Sequence, residues 1–159
     1  MKTSALTGSA LDWAVARSLG IPAEELRVSW MGIFRLLRDK DGKLNGMYQT
    51  GPDLLFSRKW EAAGPIIDRE DISVFRLDDE NLVDEQGFCT NERRPVWGAV
   101  IGAHHSAEQS RNGYGDPCGL VYEMDANCAV EGPTALIAAM RCFVASKLGD
   151  TVELPKELT

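Results

Sequence analysis

The chain has 159 residues, 44% hydrophobic and 26% charged, which is enough for a real core in an ordinary globular composition. A net charge of −7 excludes non-specific nucleic-acid binding as a working expectation, because that activity needs cations to neutralise phosphates. No basic run is longer than Arg93-Arg94, and no stretch approaches the ~20 apolar residues of a membrane span.

The N-terminus, MKTSALTGSALDW, lacks the apolar centre of a signal peptide, so a cytoplasmic protein is expected. Cys89, Cys118, Cys128 and Cys142 are then expected as reduced thiols. Thr7 reads as the N-cap of a first helix over about 8–19, with Gly20 as its stop. Leu11, Val15 and Leu19 form its core stripe. Trp13 points roughly the other way, with Arg17 one turn later on the same side. Trp13 is either a second packing contact or a ring that meets a ligand or partner.

Residues 26–38 support two readings. Ile21-Pro22 followed by Glu24 and Glu25 looks like a helix start, and Leu26, Trp30, Ile33, Phe34 and Leu37 sit at helical spacing. Against this, Asp39-Lys40-Asp41-Gly42-Lys43 is a hairpin-turn signal, Val28, Ile33 and Phe34 favour strand, and Gly32 weakens a helix. Gly64-Pro65 then reads as the start of a short helix to Glu70, followed by a strand through Ile72, Val74, Phe75 and Leu77. Asp78-Asp79-Glu80-Asn81 reads as a solvated turn. Val96–Ile101, nearly all apolar, is the clearest strand and is expected to be central. Residues 102–118 are expected to form a long loop, with a short strand at Gly119–Met124.

The stretch Gly132–Gly149, GPTALIAAMRCFVASKLG, organises the rest. Gly132-Pro133 marks a helix start and Gly149 its end. Leu136, Ile137, Met140, Phe143, Val144 and Leu148 form one large apolar stripe, expected to face the sheet. Ala135, Ala138, Cys142 and Ala145 make a small face that suits a second helix or a second subunit. Arg141 borders the apolar stripe and is expected to need a carboxylate partner if buried. Thr151–Pro155 reads as an edge strand or extended tail.

Chemistry-bearing clusters are sparse. His104-His105 are the two histidines, and with the cysteines they lack zinc-ligand spacing, so no metal and no cofactor is expected. A thiol–imidazole enzyme would have to bring Cys89 or Cys118 to His104 or His105 in space. Trp13, Trp60 and Trp97, with Arg17, Glu70 and Arg141, form a more directed set: if several converge, they would make an apolar-walled pocket with a few polar groups. Otherwise the tryptophans fill the core and Arg141 and Glu70 form an internal ion pair.

Three blocks, TSALTGSALDWAVA, WEAAGPIIDREDISV and GPTALIAAMRCFVASKLGDTVELPKEL, resemble the NinX-like family of small proteins from tailed phages and prophages of enteric bacteria. The positions that carry the resemblance are Trp13, Trp60, Gly64-Pro65, Glu70, Gly132-Pro133 and Arg141. Ala63 and Ala135 depart from the family's wording, which has glycine and proline there. The resemblance implies an accessory phage product without an assigned enzymatic activity, and it makes 20–55 and 102–131 look like variable insertions.

Together these readings predict a single α+β domain over 1–159: a small, mainly antiparallel sheet covered by an N-terminal and a C-terminal helix. The expected function is non-catalytic: a phage accessory protein in the host cell cytoplasm, binding a host protein or a small anionic metabolite or nucleotide through Trp13, Arg17, Trp60, Glu70 and Arg141. The competing expectations are the cysteine/histidine enzyme and a homodimeric module acting through the small face of the last helix.

Overall fold

The computed structural model describes residues 1–49, 54–77, 79–83, 89–101, 107–111, 113–122 and 128–159; the side chains of 47–49, 80–83, 89–92, 107–110 and 117–122 also lie outside the description. The fold is α+β, and the described residues contain three α-helices and two three-stranded antiparallel sheets.

Helix α1, Gly8–Ser18, buries Leu11, Ala14, Val15 and Ala16 completely. Thr7 takes the extended backbone of an N-cap, yet its hydroxyl makes no capping bond. The helix stops at Gly20, whose φ of 83° lets its N–H reach the Arg17 carbonyl at 2.9 Å.

The ambiguous segment 26–38 is strand. β1, Leu26–Ser29, and β2, Gly32–Arg38, form a hairpin joined by Trp30 and Met31, and β3, Leu44–Gln49, completes the sheet in the order β1-β2-β3. Burial along β1 alternates with period two, and Trp30, which a helical stripe would have buried, is 94% exposed. The expected helix start at 22–25 is only a 3₁₀ turn, Ala23–Glu25. It places the buried Glu25 between Arg35 Nε at 3.1 Å and Arg38 Nε at 2.6 Å, so those arginines join two segments instead of ending a helix. Charge-assisted bonds of this kind offset the cost of burying the carboxylate.

Helix α2 runs Trp60–Arg69, five residues earlier than Gly64-Pro65 suggested, with Pro65 inside it. Proline removes one helical N–H bond. Pro65 lies on the exposed side, where water can serve the orphaned carbonyl, while Ala63 and Ile66 anchor the other side in the core.

The second sheet has the order β10-β7-β4. β7, Trp97–Ile101, is central as expected, between β4, Ile72–Arg76, and β10, Cys128–Gly132. Gly98, Ala99 and Val100 are buried. Both ladders continue outwards as hairpin arms. β5, Glu80–Val83, pairs with β6, Cys89–Arg94, so Glu80 and Asn81 belong to a strand and not to the solvated turn expected of them. β8, Ala107–Arg111, pairs with β9, Pro117–Tyr122, which corrects the long loop expected over 102–118. This arm keeps the register of β7 and β10: Ile101 faces Cys128, and Ala107 faces Tyr122. Ladder continuity, a non-local property, makes strands of a polar sequence.

Helix α3, Ala135–Leu148, packs on all three strands of this sheet and on α1. Its start differs from the expected Gly132-Pro133. Gly132 closes β10, and Thr134 is the N-cap, its hydroxyl accepting the Ile137 N–H at 3.2 Å. Gly149 ends it with φ 84°. Leu136, Met140, Phe143 and Val144 are buried, and so are Ala138 and Cys142. The small face meets β10: Cys142 Sγ lies 3.4 Å from the Cys128 carbonyl, and the backbone of Ala138 abuts Gly132. Ala138 and Cys142 are covered within the chain and offer no surface to a second subunit, while Ala135 and Ala145 are half-buried. The small residues let helix and strand approach closely.

Candidate functional site

A cleft of about 870 Å³ opens where α3, the outer strand β10 and the N-terminal segment meet. Arg141 and Ala145 of α3 line it together with Val130, Glu131, Gly132 and Pro133, while Lys2, Thr3, Ser4 and Thr7 form the facing wall. Arg94, the last residue of β6, and Pro95 after it close one end, and Asp150 and Thr151 lie near the other. The N-terminal wall is tied down. The Thr3 N–H donates to the Asp150 carbonyl at 2.8 Å, the Thr3 hydroxyl donates to the Gly149 carbonyl at 2.7 Å, and the Val152 N–H donates to the Met1 carbonyl at 2.9 Å.

Arg141 is 8% exposed. Its Nε donates to the Leu6 carbonyl at 2.8 Å and its Nη1 to the Glu131 carbonyl at 2.9 Å. Those two bonds fix the guanidinium plane and join the N-terminal segment to β10. Among the described residues no carboxylate pairs with it, and Nη2 has no acceptor. Burial, and then the like charge of Arg94, push its pKa below the ordinary arginine value. Three cations, Lys2, Arg94 and Arg141, face two acids, Glu131 and Asp150, so the lining is net positive in a chain of net charge −7.

The expected ion pair of Arg141 with Glu70 does not form. Glu70 Oε2 takes Lys147 Nζ at 2.7 Å and its Oε1 takes Arg69 Nε at 3.0 Å. The Lys147 hydrogen bond, seconded by Arg69, holds the Glu70 carboxyl below the usual glutamate range. The pair clamps the end of α2 to the last turn of α3. Trp13 is half-buried against the core, with the Arg17 guanidinium 5.9 Å from its ring centroid, and Arg17 Nη1 donates to the Ile21 carbonyl at 2.6 Å. Trp60 opens α2 and is 55% exposed. Trp13 and Arg17 therefore meet, but neither they nor Trp60 and Glu70 line the cleft that Arg141 floors.

The sequence reading missed Lys2, Ser4, Thr7 and Arg94 as lining groups. Arg94 carried a weak signal, as half of the basic pair Arg93-Arg94. It missed Asp12 as well. This carboxylate is fully buried on α1, with Oδ1 accepting the Ser57 N–H at 2.6 Å and Oδ2 3.8 Å from Arg58 Nη2. Burial raises its pKa despite Ser57 and Arg58, which act the other way.

A second depression, about 610 Å³, is lined by Arg76, Arg93, Arg111 and Asp116 among others. Arg76 is ion-paired with Asp79, and the other three have partners, so it offers no unmatched charge comparable to Arg141. Among the described residues no cluster of three His, Cys, Asp or Glu side chains could hold a metal ion, and no helix is long and apolar enough to cross a membrane. His104 and His105 lie outside the described residues, as do the side chains of Cys89 and Cys118.

The chain is an α+β protein whose Arg141 cleft is lined by more cations than acids. The family model described as Bacteriophage P22, NinX matches residues 2–85, just over half of the chain, and the protein belongs to that phage family. The match takes in the blocks at 3–16 and 60–74; the third, 132–158, lies beyond it. No curated protein gives a significant match.

Proposed function

We propose that this protein is a non-catalytic phage accessory protein that acts in the infected cell by binding a small anionic metabolite or nucleotide in the Arg141 cleft. The observation that carries the reading is Arg141, a residue only 8% exposed and held by two carbonyls, with neither a counter-ion nor an acceptor for its Nη2 among the described residues. An unpaired buried charge is costly, and an anion in the cleft offsets that cost. The volume of about 870 Å³ lies within the span of small-molecule sites, roughly 300–1,000 Å³. Native mass spectrometry of protein purified from infected cells tests this. An added acidic mass, released on denaturation and missing from Arg141→Gln, is the expected result; a bare chain under gentle conditions counts against it.

One observation favours a second reading, contact with a host protein. Trp30, 94% exposed, and Met31, 56% exposed, sit together at the tip of the β1–β2 hairpin, and paired apolar side chains in water often mark an interaction site. Capture of one host protein by the wild type and not by Trp30→Ser is the expected result there.

A further inference from the structure

We infer that the anion held in the Arg141 cleft is a phosphomonoester, a tetrahedral dianion carrying an organic group. The inference rests on the proposed small-anion reading and narrows its ligand class. It follows from where the free donors lie. A planar carboxylate is satisfied by one guanidinium fork, which presents two parallel N–H groups. Here more than one fork's worth of donors is free: Nε and Nη1 of Arg141 each give one N–H to the Leu6 and Glu131 carbonyls, which leaves one N–H on Nη1 and both on Nη2. The remaining donors stand on a different part of the chain. Lys2 has no ion-pair partner among the described residues, and the hydroxyls of Ser4 and Thr7 make no hydrogen bond there. Donors set on opposite walls suit an acceptor whose oxygens point in several directions. A phosphate presents three terminal oxygens and up to two charges, while a carboxylate presents two oxygens in one plane and one charge.

A second, independent feature is the opening turn of α1. Thr7 leaves its hydroxyl out of the cap, and the first intrahelical bond is Leu11 N–H to the Thr7 carbonyl at 3.2 Å. The partial positive charge of an eleven-residue helix thus stands uncapped beside the cleft. The cleft is also far larger than a bare phosphate, and Val96, Val130 and Ala145 give it apolar wall. That wall has no use for inorganic phosphate and fits the organic part of an ester.

Isothermal titration of the full chain at pH 7.5 tests the inference with four probes: a nucleoside monophosphate, the matching nucleoside, inorganic phosphate and citrate. The monophosphate is expected to bind at least tenfold more tightly than citrate or inorganic phosphate, with no heat from the nucleoside. Lys2→Ala and Ser4→Ala, both at exposed positions that leave the core untouched, are expected to weaken the monophosphate by about tenfold or more each, the scale of one lost charge-assisted bond. Arg141→Gln is expected to abolish binding, and the two surface variants keep the test valid should that variant fail to fold. Citrate binding as tightly as the monophosphate, or a nucleoside binding as well as its phosphate, overturns the phosphomonoester while leaving a small ligand in place. Monophosphate binding that ignores Lys2→Ala and Ser4→Ala also overturns it. Silence from all four probes, with no acidic mass released from protein taken from infected cells, removes the small-anion reading as well.

Discussion

A β-carbon on Gly132 would stand 2.5 Å from the peptide nitrogen of Ala138 and 2.9 Å from its Cα. The atoms in the way are helix backbone, which cannot turn aside as a side-chain tip can. Gly132→Ala therefore has to push α3 off β10, and overpacking of that kind costs about 1–3 kcal/mol. The expected fall in Tm is several degrees, at roughly 2–4 °C per kcal/mol for a chain of this size. Gly64, which has open space at the same position, is the control. Equal melting of Gly132→Ala and wild type would refute the close contact.

The partner assignments of Glu70 and Arg141 can be separated by double-mutant cycles. Glu70→Gln and Lys147→Met are expected to be non-additive by a few tenths to about 1 kcal/mol, the usual range for a largely solvated ion pair. Glu70→Gln and Arg141→Gln are expected to add. Because the Glu70 pKa is lowered, its contribution is present above the ordinary glutamate value of 4.5 and is lost as pH falls through the lower folded value. Coupling to Arg141 in place of Lys147 would restore the ion pair that the sequence suggested.

Asp12 should show the opposite pH behaviour. Its folded pKa is raised by burial, so its favourable contribution is complete below the ordinary aspartate value of 3.8 and is lost as pH rises through the raised value. Asp12→Asn keeps an oxygen for the Ser57 N–H and removes the titration. Thermal melts from pH 4 to pH 8 should show the variant gaining on the wild type as pH rises. A constant difference across that range would mean that the carboxyl titrates normally.

Cys128 and Cys142 touch across the β10–α3 contact, each sulfur 3.4 Å from the other's carbonyl. The hydrogen bond from Cys142 lowers the Cys128 pKa, while the same contact, with burial, pushes Cys142 far up. Iodoacetamide at pH 8, followed by peptide mass analysis, should label Cys128 in the native protein and reach Cys142 only on unfolding, because the thiolate is the reactive form. Early labelling of Cys142 would show that α3 opens from the strand.

Helices α1 and α3 and strand β7 were legible because their signals are local: an apolar repeat, glycine stops and an unbroken apolar run lie within each segment. Residues 26–38 were not legible, since Leu26, Ile33 and Phe34 satisfy both periods. The choice fell to Trp30, whose exposure no spacing rule reveals. The β8–β9 arm was hidden for another reason: its polar composition resembles a loop, and it becomes strand by continuing the β7–β10 ladder.

For the site, the sequence established that Arg141 sits among buried neighbours and must be compensated, because helical geometry places it there whatever surrounds it. It pointed to the wrong partner, a carboxylate. The answer is the carbonyl of Leu6, 135 positions away, together with that of Glu131, and Glu70 is drawn instead to Lys147. Segments at 2–7, 94–96, 129–133 and 141–151 become one cleft only when α3 docks on β10. Local backbone preference and side-chain periodicity are written residue by residue. Which charges meet depends on chain closure over long separations, and that is decided only when the elements pack.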